Sequence, residues 1–217
     1  MNMGDEAAKW IPLFPGEEIP FILAAVLRCS ATLRKKHATE FENRISDRLR
    51  KLLIRDPGLR QRPMELDRET PLYDDDSDDE NPNGRPDIRF SYSTGTSKPW
   101  PYFAVEAKRL HVTFASRWDS CVLEYVTGDQ GMMCFVEQRY GQGLVSGGML
   151  GYVFDGNVEA AHTSVAASIE ASRERLKTAP PFRLVLSSVL PGDPRVSETT
   201  HALAHGNFII YHLFVAV

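Results

Sequence analysis

Two short runs of alternating apolar and polar residues organise the middle of this chain. In 87–92, Ile88, Phe90 and Tyr92 fall on one side and Arg89 and Ser91 on the other. In 102–108, Phe103, Val105 and Ala107 share one side, while Glu106 and Lys108 share the other. A period of two marks a β-strand, because successive side chains leave opposite faces. Gly95, Lys98 and Pro99 lie between the runs, so the pair predicts a hairpin.

The flanking sequence changes period. Residues 1–16 are broken by Pro12, Pro15 and Gly16 and predict an irregular lead-in. Helical spacing begins near Glu17 and continues past Leu33. A second helix is predicted over 39–54, with Phe41, Ile45, Leu49, Leu52 and Leu53 as its apolar stripe and Asp56-Pro57-Gly58 as its stop. A short strand fits 64–69, and 73–85 is polar, acidic and rich in turn residues, hence a loop. Downstream the pattern predicts helices over 114–126, 129–140 and 158–177, and strands over 149–154, 182–189 and 207–217. The result is an α/β or α+β layer architecture with a mixed sheet.

At 217 residues the chain is long enough to bury one full core. No apolar run reaches the roughly 20 residues that span a bilayer. The first residues carry Asp5 and Glu6 and no basic segment, so no secretory signal is expected. Cys29, Cys121 and Cys134 match no zinc spacing and fit a reducing, cytoplasmic setting. A net charge of -4 argues against a protein that coats nucleic acid nonspecifically, but the distribution is uneven. Basic residues dominate 28–62, including Arg44, Arg48 and Lys51 on the second helix. The sign then reverses, with Asp74, Asp75, Asp76, Asp78, Asp79 and Glu80 crowded together. A solvated helix face beside a solvated loop is the plain account; a phosphate-facing helix beside a carboxylate-rich metal site is the chemical one.

The hairpin supplies the carboxylates. Pro86-Asp87 opens its first strand, and pairing brings Asp87 opposite the Glu106–Lys108 end of the second. Two carboxylates, the carbonyl of Ala107 and waters meet the demand of a hard divalent cation such as Mg²⁺. Such an ion polarises a scissile phosphate and lowers the pKa of a bound water. Lys108 is positioned to orient or deprotonate that water and to offset charge developing on the phosphate; a nearby cation would lower its pKa. Glu-x-Lys and Pro-Asp are each ordinary surface features, and only their combination points to chemistry.

These residues, Pro86-Asp87 and Glu106-Ala107-Lys108, resemble the PD-(D/E)xK superfamily of restriction-endonuclease-like nucleases. The resemblance implies one domain over 1–217, with an αβββαβ core at about 39–154, a mixed sheet flanked by helices, a helical extension over 1–38, and an extra C-terminal helix and strands over 155–217. It implies Asp87, Glu106 and Lys108 as catalytic residues and Mg²⁺ as cofactor, with Mn²⁺ as substitute. A glutamate of the preceding helix often joins such a site, and Glu40 and Glu42 are the candidates. Glu42 lies with Ile45, Leu49 and Leu52, the apolar stripe, whereas Glu40 falls with Asn43, Asp47 and Lys51. A carboxylate on a buried side needs a partner or a metal, which favours Glu42; an Arg partner is the alternative. Polar residues of the following helix often touch the site or the nucleic acid, which singles out Gln138 and Arg139. DNA is the implied substrate, with RNA left open, and a partner protein or homodimer would supply recognition. Segments 105–110 and 148–153 also resemble prokaryotic defence nucleases, so an anti-phage or restriction role is implied.

Two other classes compete. The fold could serve as a catalytically silent binding or scaffold subunit, or the acidic 74–80 segment could mimic DNA in an inhibitor. His111 is a candidate at the cleft rim. His201 and His205 share helical spacing and, with His212, could be read as a zinc set, but no cysteine or acid at ligand spacing supports one. Gly141, Gly143, Gly147, Gly148 and Gly151 lack phosphate-loop spacing and predict a flexible loop. Trp100 and Trp118 flank the hairpin as core candidates.

Overall fold

The structure, a computed structural model, describes residues 13–67, 85–93, 100–140 and 144–217. The acidic 74–80 segment, most of the lead-in, the hairpin turn at 94–99 and Gly141 and Gly143 lie outside the described residues.

A 3-10 turn at Gly16–Glu18 leads into α1 (Ile19–Ser30), whose early Pro20 is tolerated because the first turn needs no intrahelical donor. α2 (Glu42–Leu53) buries Ile45, Leu49 and Leu53 on one side. Asp56 then caps α3 (Pro57–Arg60), accepting from the amides of Gly58 and Leu59. Next come β1 (Met64–Asp67), β2 (Ile88–Tyr92) and β3 (Tyr102–Leu110). A small ribbon, β4 (Val112–Thr113) and β5 (Trp118–Asp119), precedes the short helices α4 (Val122–Val126) and α5 (Met133–Val136). β6 (Ser146–Val153), α6 (Val158–Ala171), β7 (Val185–Leu186), β8 (Val196–Leu203) and β9 (Gly206–Ala216) complete the chain.

The main sheet has seven strands in the order β1-β2-β3-β6-β9-β8-β7. It is mixed: β3, β6 and β9 run parallel at the centre, and both flanks are antiparallel. Central parallel strands are covered on both faces; accordingly every residue of β6 is buried. α1 and α2 cover one face, where Val26, Ile45 and Leu49 meet Phe103, Val105 and Leu213. α4, α5 and α6 cover the other, where Tyr125, Phe135 and Val165 meet Ala104, Met149 and Ile210. No helix among the described residues is long and apolar enough to cross a membrane.

Several expectations are corrected. Gly147, Gly148 and Gly151 are not a loop but lie in β6, where space is scarce: a Cβ on Gly147 would sit 2.3 Å from the Phe135 ring, and one on Gly151 2.7 Å from Leu110. The helix expected over 114–126 is helical only in α4, because His111 and Cys121 adopt positive φ and bracket the β4–β5 ribbon. The helix expected over 129–140 shrinks to α5, the 158–177 helix ends at Ala171, and the 182–189 strand is only β7. α1 stops at Ser30, short of Leu33, and α2 starts at Glu42, not at 39. β8 was not anticipated, and it places His201 on a strand. Its buried positions include Ser197, Glu198, Thr199 and His201, so no apolar alternation announces it.

Candidate active site

β2 and β3 set the geometry. Ile88 pairs with Val105, so the next step of the antiparallel ladder brings Asp87 beside Glu106 and Ala107. Asp87 Oδ2 accepts a hydrogen bond from the Ala107 amide at 2.8 Å, fixing the carboxylate on the strand that carries the other two groups. The Asp87 carbonyl accepts from Arg50 of α2 at 2.9 Å, which ties the start of β2 to the helix.

Strand alternation puts Glu106 and Lys108 on one face, as the apolar pattern predicts. The Lys108 ammonium donates to Glu106 Oε1 at 2.7 Å, to the Ala107 carbonyl at 2.9 Å and to Glu42 Oε1 at 3.0 Å. Glu42 is the first residue of α2, and its second oxygen accepts from the Arg109 amide at 3.3 Å. The Tyr140 hydroxyl donates to Glu106 Oε2, and the Tyr102 hydroxyl donates to the Tyr140 carbonyl. Glu106 thus has one oxygen held by a phenol and the other by an ammonium.

Three carboxylates therefore face one ammonium in a recess where Glu106 and Lys108 are only 4% and 6% exposed. Burial pushes the Asp87 carboxyl well above its usual range, and the Glu106 charge pushes it further. Burial also raises Glu106, against the lowering pull of Lys108 and Tyr140. Burial alone would depress Lys108, but the carboxylates of Glu106, Glu42 and Asp87 outweigh it and raise its pKa. The lowered lysine pKa expected near a cation is therefore not what these neighbours produce. Burial, with Glu106 next to it, drives Tyr140 far above the usual phenol range, so its hydroxyl is a fixed donor.

An all-oxygen donor set with more negative than positive charge fits a hard divalent cation. Among the described residues no cluster of three or more His, Cys, Asp or Glu side chains stands ready to hold a metal ion. The oxygens of Glu106, Ala107 and Glu42, which would be the ligands, close around Nζ of Lys108 instead.

The structure separates the two helix-region glutamates, though not for the reason the stripe implied. Glu40 is the buried one, at 3% exposure, and lies before α2 rather than on it. It is committed to Arg48 at 2.6 and 2.9 Å and to the Lys36 amide at 2.7 Å, and the Arg48 bond above all lowers its pKa to about 2. Glu42 is half-buried and reaches Lys108 because it starts the helix, not because it faces the core.

The other candidates divide. Arg44 and Lys51 are exposed on α2. Arg48 is turned inward onto Glu40, so it is not the open phosphate contact expected. Arg139 has its Nε 3.1 Å from Glu137, and Gln138 sits at a positive φ in the turn before it, with no helix presenting either residue. His111 is buried, with Nδ1 2.9 Å from Asp155. His201 and His212 form no zinc site: Thr199 Oγ1 lies 2.8 Å from Nε2 of one and 2.9 Å from Nε2 of the other. Tyr140 and Arg50 are the residues that the sequence left unassigned. Neither carries a signal of its own, since one acts through a turn and the other by supporting a backbone carbonyl.

Comparison with protein-family models, with curated proteins and with solved structures found no match.

Proposed function

We propose that this chain is a divalent-cation-dependent nuclease that hydrolyses phosphodiester bonds of DNA. The observation that carries the reading is the excess of carboxylate about one buried ammonium, with Asp87, buried Glu106 and half-buried Glu42 around Lys108 and with Asp87 and Glu106 both pushed up in pKa. Structural ion pairs are ordinarily balanced, whereas unbalanced buried acids are characteristic of sites that take up a cation or a proton. With the short α3, the β4–β5 ribbon and α5 as additions, the succession α2-β1-β2-β3-α4-β6, with β3 and β6 parallel, supports a restriction-endonuclease-like αβββαβ core.

Asp87, Glu106, Glu42 and the Ala107 carbonyl would hold Mg²⁺, or Mn²⁺ in its place. When bound, the ion supplies Lewis-acid polarisation of the phosphate and a more acidic water. Asp87 is kept in place by the Ala107 amide and Glu106 by Tyr140, so both acids are oriented beforehand. Lys108, held fully charged, serves as an electrostatic partner to developing negative charge rather than as a base. Recognition by a partner protein or a second copy, and a role in defence, belong to the same proposal.

The test is cleavage of plasmid and linear DNA with Mg²⁺ or EDTA. Activity that needs the metal and falls at least about a hundredfold in Lys108→Ala supports the reading; full activity in that variant sinks it. One observation favours a silent binding subunit instead: Lys108 already satisfies the oxygens that a metal would need. Calorimetry decides, because a subunit of that kind takes up no divalent ion at millimolar concentration.

A further inference from the structure

Two aromatic rings that the core does not use lie close along the chain to Glu42 and Lys108. Phe41, the residue before Glu42, is 69% exposed, and Trp118 on the β4–β5 ribbon is 55% exposed. Scattered exposed apolar residues are normal on a protein surface. Exposed Phe21 also carries a cation, Arg62, over its face; Phe41 and Trp118 are set apart because their supports lie just after Lys108. The Arg109 guanidinium is 5.8 Å from the Phe41 ring centre and 5.9 Å from that of Phe114, within cation–π range of both. Arg109 is itself pinned to the carbonyls of Thr39 and Glu40 at 3.3 Å. The Trp118 ring centre is 5.3 Å from that of His111, which Asp155 holds. The exposed rings therefore rest on anchored side chains at fixed positions along one stretch of β3 and its continuation.

A second observation concerns access. Glu106 and Lys108 are almost closed off, while the Glu42 side chain keeps 30% of its surface open. Glu42, next to Phe41, is thus one open side of the cluster, with Asp87 also partly uncovered. A duplex carries its phosphates on a stiff rod with its bases paired inside, poorly suited to a recessed centre. An unpaired strand bends, and its bases are free to lie on aromatic faces.

We propose that Phe41, backed by Arg109, and Trp118 form a stacking platform for unpaired bases, so that the site takes single-stranded nucleic acid. The exposed cations Arg44 and Lys51 lie on the flanking α2, where a backbone would run; Arg117, between β4 and β5, is exposed but paired with Asp119 at 2.7 Å. The substrate assignment rests on the nuclease reading, but the platform itself needs no metal.

Binding is therefore measured in EDTA, by fluorescence anisotropy of labelled oligothymidylate and of a blunt duplex of equal length. The full chain is compared with Phe41→Ala and Trp118→Ala, and with Phe41→Trp and Trp118→Phe, which keep a ring. The expected result is tighter binding of the single strand than of the duplex, a loss of at least about fivefold in each alanine variant, and retention in the ring-preserving variants. Equal or tighter binding of the duplex, or alanine variants that bind the single strand as the parent does, overturns the proposal. Ring-dependent single-strand binding without cleavage in Mg²⁺ or Mn²⁺ upholds the platform and removes the nuclease reading. Duplex cleavage with ring-independent binding removes the platform and leaves that reading intact.

Discussion

At the scale of single residues, Asp87 and Glu106 are held where their charged forms are disfavoured. Both are raised, first by burial. A carboxyl whose folded pKa is raised favours the folded state below its unfolded pKa, and that contribution is lost as pH rises through the folded value. At neutral pH, without a cation, these acids therefore oppose folding. Asp87→Asn keeps an oxygen for the Ala107 amide and removes the charge. Thermal denaturation in EDTA should give a higher midpoint for the variant, by about 2–4 °C for each kcal/mol relieved in a chain of this size. An equal or lower midpoint would mean that the carboxylate is compensated after all. Tyr140 makes a second case. Tyr140→Phe frees Glu106 Oε2 from its donor, and Mn²⁺ affinity by calorimetry should fall about tenfold, as for other residues that orient a ligand. The sequence displayed the acids and the lysine through strand alternation. It could not display Tyr140 or Arg50, because their contributions depend on a turn and a backbone carbonyl brought close only by folding.

At the scale of elements, β8 and β9 carry a buried polar chain that the apolar pattern concealed. The Leu176 carbonyl can only accept, so His201 Nδ1 donates to it at 2.7 Å. His201 Nε2 then accepts from Thr199, Thr199 accepts from His212 Nε2, and His212 Nδ1 accepts from Tyr125 at 3.0 Å. Every group is satisfied with both rings neutral. Burial lowers His201 to about 4 and His212 well below its usual value. A depressed histidine contributes fully above its unfolded pKa, near 6.5, and the contribution is lost as pH falls toward the folded value. Between about pH 6.5 and 4 each ring should remove roughly 1.4 kcal/mol of stability per pH unit. Urea unfolding across that range should show a shallower slope for His201→Gln by about that amount; an unchanged slope would count against a buried neutral ring. The opposing acids Asp87 and Glu106 are common to both proteins and cancel in the difference. β8 eluded the sequence because its buried residues include Ser197, Thr199 and His201, while the hairpin β2–β3 was legible because Ile88 and Phe90, and Phe103, Val105 and Ala107, alternate along it.

At the scale of the whole molecule, the mixed sheet between two helical layers was readable, since long apolar runs and helix stripes mark its centre. The short pieces between β3 and β6 were not readable, because the positive φ at His111 and Cys121 breaks what looks like continuous helical spacing. The layers bring β2, β3 and the start of α2 together, at the place proposed to take up a divalent cation. Mn²⁺ titration of the metal-free protein decides whether it does, read by calorimetry on the parent, Asp87→Asn and Lys108→Met. The expected result is one bound ion in the parent, at least about tenfold weaker binding in Asp87→Asn, and undiminished or tighter binding in Lys108→Met, where no ammonium competes for the oxygens. No uptake by the parent at millimolar Mn²⁺, or uptake unchanged in Asp87→Asn, would contradict it.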